Sequence, residues 1–345
     1  MRIQSIAATF PSKVVSNENI LDLIRQHSTE FVGDLEHTLK LVNRQLKGSG
    51  SNTRRWLAEG ETSLQLTLDA CKKAMAGLGK GDKIDLLIVG SVYAELIEPS
   101  TASLLAAELG LHHVECVDMK EACSGFMKAA KFASMFIESG NYKRVMVVNP
   151  EFVMTPGFGI YPELFNLPSA EVLEYRLPSF TLGEGVSAVI LEADSSNQWQ
   201  FTQKTRNDLY DFCSITSPWN NHGFVDSDRV AKNGAGKFTS YGAKLKGEGF
   251  PLAVDLFKIS GIRPEDVDAL FTHSSSKRDW SEGAEIIGLS DKLFDMYATH
   301  GNVVSAAVPA AMALAIEQGK LKRGQNVAAW VASAGMSFST AYFVF

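Results

Sequence analysis

Short, almost continuous apolar runs alternate with longer amphipathic segments along this chain. The runs at 83–91, 145–149, 266–276 and 326–333 each have an unbroken apolar centre, as strands buried on both faces do. Two intervening segments, which begin near residues 123 and 302, are apolar nearly all round and are typical of enclosed helices. Each half of the chain therefore has the order strand, helix, strand, helix, strand, which predicts a layered α/β architecture.

The two halves also share sequence. IESGNYKR at 137–144 returns as IEQGKLKR at 316–323, a shift of 179 residues that places Cys123 opposite Asn302. Asp85 and Asp268 match at a shift of 183, and we attribute the four-residue difference to loop length. The repeat predicts an N-terminal half (1–195) and a C-terminal half (196–345) related by a pseudo-twofold axis, with two matching helix starts meeting at the centre.

Other segments are assigned from composition and periodicity. Residues 1–20 are expected to form a first strand and a turn at Pro11-Ser12, and helices are expected within 17–46, 62–78 and 98–111. Residues 151–180, rich in Pro, Gly and aromatic residues, predict a cap over the site. Residues 218–250 are the least regular and predict a mobile excursion, whereas the small residues of 332–339 predict a loop between two final strands.

Composition excludes several classes of function. The 345 residues carry a net charge of −6 without a basic stripe, which argues against nucleic acid as a partner. The N-terminus lacks a signal-peptide core and no long apolar run predicts a membrane span, so we expect a cytoplasmic protein. Four cysteines without regular spacing predict neither a disulfide framework nor a metal site.

Cys123 is the strongest candidate for chemistry. It follows a strand and a turn and lies at the N-terminus of a buried helix, where free N–H groups and the positive end of the dipole stabilise a thiolate. Buried cysteines more often fill gaps in a core. The position between strand and helix, together with the repeat, favours a nucleophile.

His273 and Asn302 are the next candidates. His273 ends an apolar strand, the edge at which α/β folds bind ligands, although a histidine satisfied within a loop is an alternative. Asn302 opens the second buried helix, where it can donate to a substrate carbonyl or simply cap the helix. The loop 332–339 can bring a backbone N–H to an oxyanion hole shared with the N–H of Cys123, or form a tight hairpin only.

These segments together carry a family likeness. ACSGF around Cys123, LGEGVSAVILE at 182–192, HGNVVSAAVP around Asn302 and the terminal SAGMSFSTAYFVF resemble the β-ketoacyl-acyl-carrier-protein synthase III branch of the thiolase superfamily. The likeness covers most of the chain in the right order. It implies a five-layered α/β/α/β/α fold of two similar halves and a homodimer.

The resemblance also implies roles. Cys123 would attack an acyl thioester and hold the acyl group. His273 and Asn302 would bind the carbonyl of a second thioester and stabilise its enolate. The N–H groups of Cys123 and of Ala334, or of its neighbour Gly335, would hold the tetrahedral oxyanion. Acyl-CoA or acyl-carrier-protein thioesters would be the substrates, with no separate cofactor and no metal.

Some residues depart from the family pattern. Ser274, Ser275 and Ser276 follow the histidine where Gln-Ala-Asn is usual, which suggests a specialised member, for example in secondary metabolism. Glu98 is similar to a glutamate in relatives that join two full-length acyl chains. Such a carboxylate, if buried against apolar walls, would serve as a base on the second chain; the alternative is a glutamate favoured by a helix start.

The sequence thus predicts an acyltransferase that forms a carbon–carbon bond through an acyl-Cys123 intermediate. Transfer of the same acyl group to oxygen or nitrogen is the alternative, and a non-catalytic subunit of a heterodimer is a third possibility. The turn 54–56 (Arg-Arg-Trp) is either a contact for a nucleotide or carrier protein, or a solvated basic turn.

Overall fold

The computed structural model describes residues 1–219 and 227–345. The strands are β1 (Arg2–Thr9), β2 (Lys13–Ser16), β3 (Thr53–Trp56), β4 (Leu86–Gly90), β5 (Glu115–Met119), β6 (Arg144–Glu151), β7 (Gly185–Glu192), β8 (Gln200–Thr205), β9 (Cys213–Ser214), β10 (Thr239–Ser240), β11 (Ala269–Thr272), β12 (Leu293–Phe294), β13 (Asn326–Ser333) and β14 (Ser337–Val344). The helices are α1 (Asn17–His27), α2 (Leu35–Ser49), α3 (Ser63–Met75), α4 (Thr101–Glu108), α5 (Gly125–Glu138), α6 (Leu173–Arg176), α7 (Gly242–Ile259), α8 (Lys277–Ile286), α9 (Tyr297–His300) and α10 (Ala307–Glu317).

Two five-stranded sheets have the same internal order. The first runs β5-β4-β6-β7-β1 and the second β12-β11-β13-β14-β8. In both, the first three strands are parallel and the last two join antiparallel. The strands of the first sheet lie within 2–192 and those of the second within 200–344.

Helices cover both sheets and separate them. α3 and α4 pack on the outer face of the first sheet, and α7 and α8 on the outer face of the second. α5 and α10 lie between the sheets in a shared core with β4, β6, β11 and β13. The predicted thiolase-like order of five layers, α/β/α/β/α, is confirmed.

The register of the repeat differs from the one predicted. Ala122 and Val304 both have a left-handed backbone, with φ of 45° and 49°, and each opens a 3₁₀ helix that leads into α5 or α10. Their separation of 182 residues makes Ser305, rather than Asn302, the counterpart of Cys123. The octet lies where the helices end, and α5 has 14 residues against 11 in α10. This three-residue difference turns a shift of 182 into 179.

The excursion predicted at 218–250 is wrong at its C-terminal end, because α7 begins at Gly242. Its three glycines and Pro251 have low helix propensity, so the sequence does not predict this helix. Packing of Ala253, Leu256 and Phe257 against the second sheet stabilises it. Part of that predicted excursion, 220–226, lies outside the described residues. The predicted cap, 151–180, forms short helical turns that share a core with α1 and α2.

Candidate active site

The nucleophile turn is held by close contact between the halves. Cys123 lies in the 3₁₀ helix Ala122–Ser124 that follows β5 and leads into α5. A Cβ on Gly125 would lie 3.0 Å from Cβ of Ser305 and 3.2 Å from the carbonyl oxygen of Gly90. Glycine therefore permits the two helix starts to meet. The N–H of Ser124 donates to Oγ of Ser333 at 3.1 Å, so a residue of the C-terminal half fixes the turn.

The Cys123 thiol is protonated at rest. Burial raises its pKa well above the ordinary value, and the thiol of Cys213 and the carboxyl of Glu151 raise it further. The N–H groups of Ala334 and of Cys123 itself point at the sulfur and partly oppose this rise in pKa. The predicted stabilisation of a thiolate by the helix start is wrong, because desolvation outweighs these donors.

His273 is a neutral imidazole in the same cavity. The residue is 4% exposed, and burial lowers its pKa to about 4, although the backbone of Val304 favours the protonated form. Its backbone N–H donates to the carbonyl of Trp330 on β13, which fixes the residue just beyond the end of β11. A neutral imidazole can both accept and donate a hydrogen bond near pH 7.

Asn302 is oriented as a donor. Its carboxamide oxygen accepts from the N–H of Val304 at 2.9 Å, which leaves the amide nitrogen to face the cavity. Its backbone is held on both sides, since its N–H donates to Thr181 and its carbonyl accepts from Gly183. The alternative of a simple helix cap is partly realised, because Asn302 does bind the backbone at the start of this turn.

The three serines after His273 each have a structural partner. Ser274 Oγ accepts from the N–H of Val303 at 3.4 Å, next to Asn302. Ser275 Oγ accepts from the indole of Trp280 at 3.0 Å, and Ser276 caps α8 through the N–H of Asp279. The three serines that depart from the family pattern therefore hold the Asn302 loop and α8 in place.

The loop between β13 and β14 is the 3₁₀ turn Ala334–Met336. Ala334 lines the cavity and directs its N–H to Cys123. Gly335 adopts φ of 73° and is not among the residues that line the cavity. Of the two neighbours proposed for the oxyanion hole, Ala334 has the geometry of a donor.

Cys123, His273, Asn302 and Ala334 all line one cavity of about 1530 Å³. Its walls come from α2, the loop 92–97, the cap, the segment 213–219 and α7. Most of the lining side chains are apolar, including Leu46, Val153, Phe158, Leu177, Trp219 and Phe250. The cavity is larger than the roughly 300–1,000 Å³ usual for a single small ligand.

Glu98 is placed differently from the prediction. Its side chain is exposed and is not among the residues that line the cavity, whereas its neighbours Leu96 and Ile97 do line it. The expectation of a carboxylate buried against apolar walls is wrong for the isolated chain. Glu98 precedes Pro99 and the N-cap Ser100, which start α4 at the surface.

The basic turn at 54–56 is mostly interior. Arg54 is 0% exposed and donates to Asn17 and Ser51 at 2.9 and 2.8 Å, and burial lowers its pKa to about 10. The indole of Trp56 donates to the carbonyl of Leu182. Arg54 and Trp56 brace the fold, so neither is free to meet a nucleotide.

Three residues of the site were missed from the sequence. Cys213 lines the cavity close enough to raise the pKa of Cys123. Glu151 ends β6, is 0% exposed and has a pKa raised by burial to about 8. Ser333 ends β13 and binds the nucleophile turn. Glu151 and Ser333 are 182 residues apart, so the corrected repeat would have paired these two strand ends.

Comparison with known proteins places this site in a family. A family model for 3-oxoacyl-[acyl-carrier-protein] synthase III matches residues 117–155, and one for its C-terminal part matches 257–345. The chain is 30% identical over 359 residues to β-ketoacyl-[acyl-carrier-protein] synthase III of Aliarcobacter butzleri, covering 99% of this chain and 97% of that protein. This chain belongs to the β-ketoacyl-[acyl-carrier-protein] synthase III family. As a family member it is a condensing acyltransferase that joins acyl thioesters through a carbon–carbon bond.

Other comparisons agree on family and fold. The synthase III of Xanthomonas campestris pv. campestris is 28% identical over 332 residues, covering 94% of this chain and 92% of that enzyme. The crystal structure of an OleA variant from Xanthomonas campestris, with lauric acid and lauroyl-CoA bound, superposes with a TM-score of 0.82 at 21% identity. It covers 99% of this chain and 98% of OleA. Within the described part of this synthase, no helix has the length and apolarity needed to span a membrane.

Proposed function

We propose that this synthase loads an acyl group onto Cys123 and condenses it with a second acyl thioester, giving a β-keto thioester. The observation that supports this most is the convergence of Cys123, His273, Asn302 and Ala334 on one apolar cavity. Nucleophile, imidazole, amide donor and backbone donor are the groups that acyl transfer followed by enolate attack requires.

In the first step the sulfur of Cys123 attacks the thioester carbonyl. The carbon–sulfur bond to the donor breaks, the donor leaves as a free thiol, and the proton of Cys123 ends on that thiol. His273 is neutral near pH 7 and can carry the proton between the two sulfurs. The N–H groups of Cys123 and Ala334 hold the oxyanion on the attacked carbon.

In the second step an enolate forms on the second thioester by loss of a proton or of carbon dioxide. Its oxygen accepts from the amide of Asn302 and from the imidazole N–H of His273. The α-carbon then attacks the acyl-Cys123 carbonyl and the bond to the sulfur breaks. The Cys123 thiolate takes up the proton removed from the α-carbon or, after loss of carbon dioxide, a proton from solvent. Two preorganised donors suit this step because they act where negative charge develops.

We assign long acyl chains to both substrates. A cavity of about 1530 Å³ with apolar walls can enclose far more than a short acyl group, and excess space would cost affinity. OleA, with a similar fold, has been crystallised with lauric acid and lauroyl-CoA. Coenzyme A or acyl carrier protein delivers the chains. The altered residues after His273 fit a specialised, secondary-metabolic member.

Glu98 remains our candidate base for the second chain. It directly follows Leu96 and Ile97, which line the cavity, so it stands at the end of a cavity-lining segment. Glu98→Gln should retain acylation of Cys123 and lose condensation. Unchanged condensation in Glu98→Gln would show that the base lies elsewhere.

We propose a homodimer formed along the edge strand β5. β5 pairs on one side only, with β4, and such an edge invites another strand. Val117 on β5 and Phe132, Met135 and Phe136 on α5 are 40%, 41%, 55% and 36% exposed. Tyr142 connects the two elements, since its ring packs on Phe136 and its hydroxyl donates to Glu115.

Intact-protein mass spectrometry tests the acyl-enzyme. With lauroyl-CoA the wild type should gain the mass of one acyl group and Cys123→Ala should gain none. Cys213→Ala is the matched control, because Cys213 lines the same cavity, and it should still gain the mass of one acyl group. Equal labelling of Cys123→Ala, or an ester or amide instead of a β-keto product, would overturn the proposal.

A further inference from the structure

The carboxyl group of Glu151 is buried at the junction of the two halves. It accepts from the N–H of Ser305 at 3.3 Å and from Oγ of Ser91 at 3.2 Å, and Oγ of Ser305 also donates to it. None of the catalytic steps described above uses this group. Burying a carboxyl group costs free energy unless it has hydrogen-bond partners. The partners of Glu151 therefore indicate its role.

Glu151 and Ser333 form a reciprocal pair. They are the last residues of the matching strands β6 and β13. Ser333, from the C-terminal half, accepts from the N–H of Ser124 in the Cys123 turn. Glu151, from the N-terminal half, accepts from the N–H of Ser305 in the Asn302 turn. Each half thus fixes the reactive turn of the other.

The Asn302 turn has three consecutive N–H groups, each with a side-chain acceptor. Val303 donates to Ser274, Val304 to Asn302 itself and Ser305 to Glu151. Of these acceptors only Glu151 comes from the N-terminal half. Glu151 is therefore the side-chain anchor of this turn on the N-terminal half, beside the backbone hydrogen bonds that Asn302 makes to Thr181 and Gly183. The other two acceptors set the internal shape of the turn.

We propose that Glu151 is a positioning residue for the condensation step. It holds the 303–305 turn, and with it the Asn302 amide, at a fixed place relative to the acyl group on Cys123. This inference rests on the proposed two-step function, in which Asn302 acts only after Cys123 has been acylated. Loss of the anchor should therefore affect condensation more than acylation.

The surroundings of Glu151 favour the protonated carboxyl at neutral pH. The groups that face it are hydroxyls of Ser91 and Ser305, backbone N–H groups of Ser305 and Val92, and the thiol of Cys123. With no cation among these groups, burial raises the pKa of Glu151 to about 8. Ionisation above that pH places a negative charge near Cys123 and disfavours its thiolate.

Three variants test the proposal with lauroyl-CoA as donor and product formation as readout. Glu151→Ala should acylate within about threefold of the wild-type rate and lose at least about tenfold in condensation, through kcat rather than KM. Glu151→Gln keeps an acceptor for Ser305 and should restore most of the condensation. Glu192→Gln removes another buried carboxylate of the same sheet, paired with Arg144, and should leave the ratio of the two rates unchanged.

A second readout measures how the charge on Glu151 affects the reactivity of Cys123. Alkylation of Cys123 by iodoacetamide at pH 9 should be about threefold to tenfold faster in Glu151→Gln than in the wild type, whereas Glu192→Gln should match the wild type. If Glu151→Ala does not fold, Glu151→Ser, too short to reach Ser305, replaces it. Equal loss of acylation and condensation, or an unchanged alkylation profile in Glu151→Gln, would overturn the inference. A wild type that gains no acyl mass would instead contradict the proposed function.

Discussion

Ala122 and Val304 share one backbone distortion, but the residues that follow them differ in chemistry. Both have a left-handed φ, which costs a residue with a side chain about 1–2 kcal/mol. Cys123 then faces the cavity, whereas Ser305 turns its hydroxyl to Glu151 and to the carbonyl of Gly90. At equivalent positions of the two turns, one half therefore carries the proposed nucleophile and the other half carries a hydroxyl that joins the halves.

Asn302 gives a prediction at this scale. Asn302→Asp keeps an oxygen for the N–H of Val304 but cannot donate, and its charge opposes an enolate. Condensation should fall by about 10²–10³-fold, as on loss of an oxyanion donor, while acylation of Cys123 is retained. Product analysis beside intact mass separates the two steps, and condensation at the wild-type rate would exclude Asn302 as a donor.

His273 gives a prediction about stability and pH. Its pKa in the folded protein, about 4, lies below the ordinary 6.5, so the unfolded chain binds a proton first as pH falls. The folded protein should lose up to about 3 kcal/mol from this group between pH 6.5 and 4. Burial raises the pKa values of Glu151 and Glu184, and these two groups therefore increase stability as the pH falls. The contribution of His273 is isolated by comparing variants with the wild type.

His273→Asn should therefore lose less stability than the wild type on acidification over that range. Urea unfolding at several pH values measures the difference. His37 is exposed, and His37→Asn, as control, should follow the wild-type slope. A slope for His273→Asn equal to that of the wild type would mean that His273 is not held neutral in the fold.

Among the elements, α7 shows where sequence patterns failed. Its glycines and Pro251 have low helix propensity, and the sequence pattern places the first half of this helix in an irregular excursion. Packing of its apolar face on the second sheet outweighs that propensity. The strands were easier, because β4, β6, β11 and β13 are buried on both faces and keep the apolar runs that sequence makes visible.

The repeat shows a second limit of sequence. The matching octets at 137–144 and 316–323 align the C-terminal ends of α5 and α10. These two helices differ in length by three residues. Helix starts carry the chemistry, so the shift of 179 paired Cys123 with the wrong residue. Cys123, His273 and Asn302 were nevertheless found, because each lies beside an apolar element. Glu151 was missed because a carboxylate at a strand end normally indicates exposure.

Gly249 on α7 gives a prediction at the scale of elements. It is buried beside the cavity, and an added Cβ would lie 3.5 Å from Met336 and 3.6 Å from Phe338, which leaves room for one methyl group. Gly249→Leu should fill part of the cavity and shift preference to shorter acyl chains by at least about tenfold in kcat/KM ratio. Competition between octanoyl-CoA and lauroyl-CoA measures this.

Gly247 is the matched control for Gly249. It lies on the same helix and lines the cavity only at the exposed rim, where an added Cβ meets nothing within 4 Å. Gly247→Leu should gain helix propensity without changing the chain-length preference. An unchanged preference in Gly249→Leu would mean that the acyl chain takes another part of the cavity.

At the scale of the whole molecule, the site needs residues from both halves, and neither half completes it alone. The first half supplies Cys123, and the second supplies His273, Asn302 and Ala334. The contacts between them are made by small groups: Gly90, Gly125 and Ser305 approach within van der Waals distance at the helix starts. Such tight contact fixes reacting atoms better than loops can, because close-packed interiors are rigid.

The proposed homodimer gives a prediction at the scale of the whole molecule. β5 ends the first sheet, and its exposed Val117 lies on the surface that we assign to a second copy. Val117→Lys places a charge on this edge, the means by which natural sheets prevent strand pairing. We expect the wild type to sediment as a dimer in analytical ultracentrifugation and Val117→Lys to dissociate at a concentration at least about tenfold higher.

Val14→Lys is the control for a lysine placed on any exposed strand. Val14 is 49% exposed on β2, which belongs to a separate two-stranded sheet with β3, and this variant should remain a dimer. Because burial of Val117 and of the exposed face of α5 supplies apolar area rather than charge pairs, the dissociation of the wild-type dimer should be insensitive to salt. A wild-type monomer, or a Val117→Lys variant that dimerises like Val14→Lys, would place the partner, if there is one, on another surface.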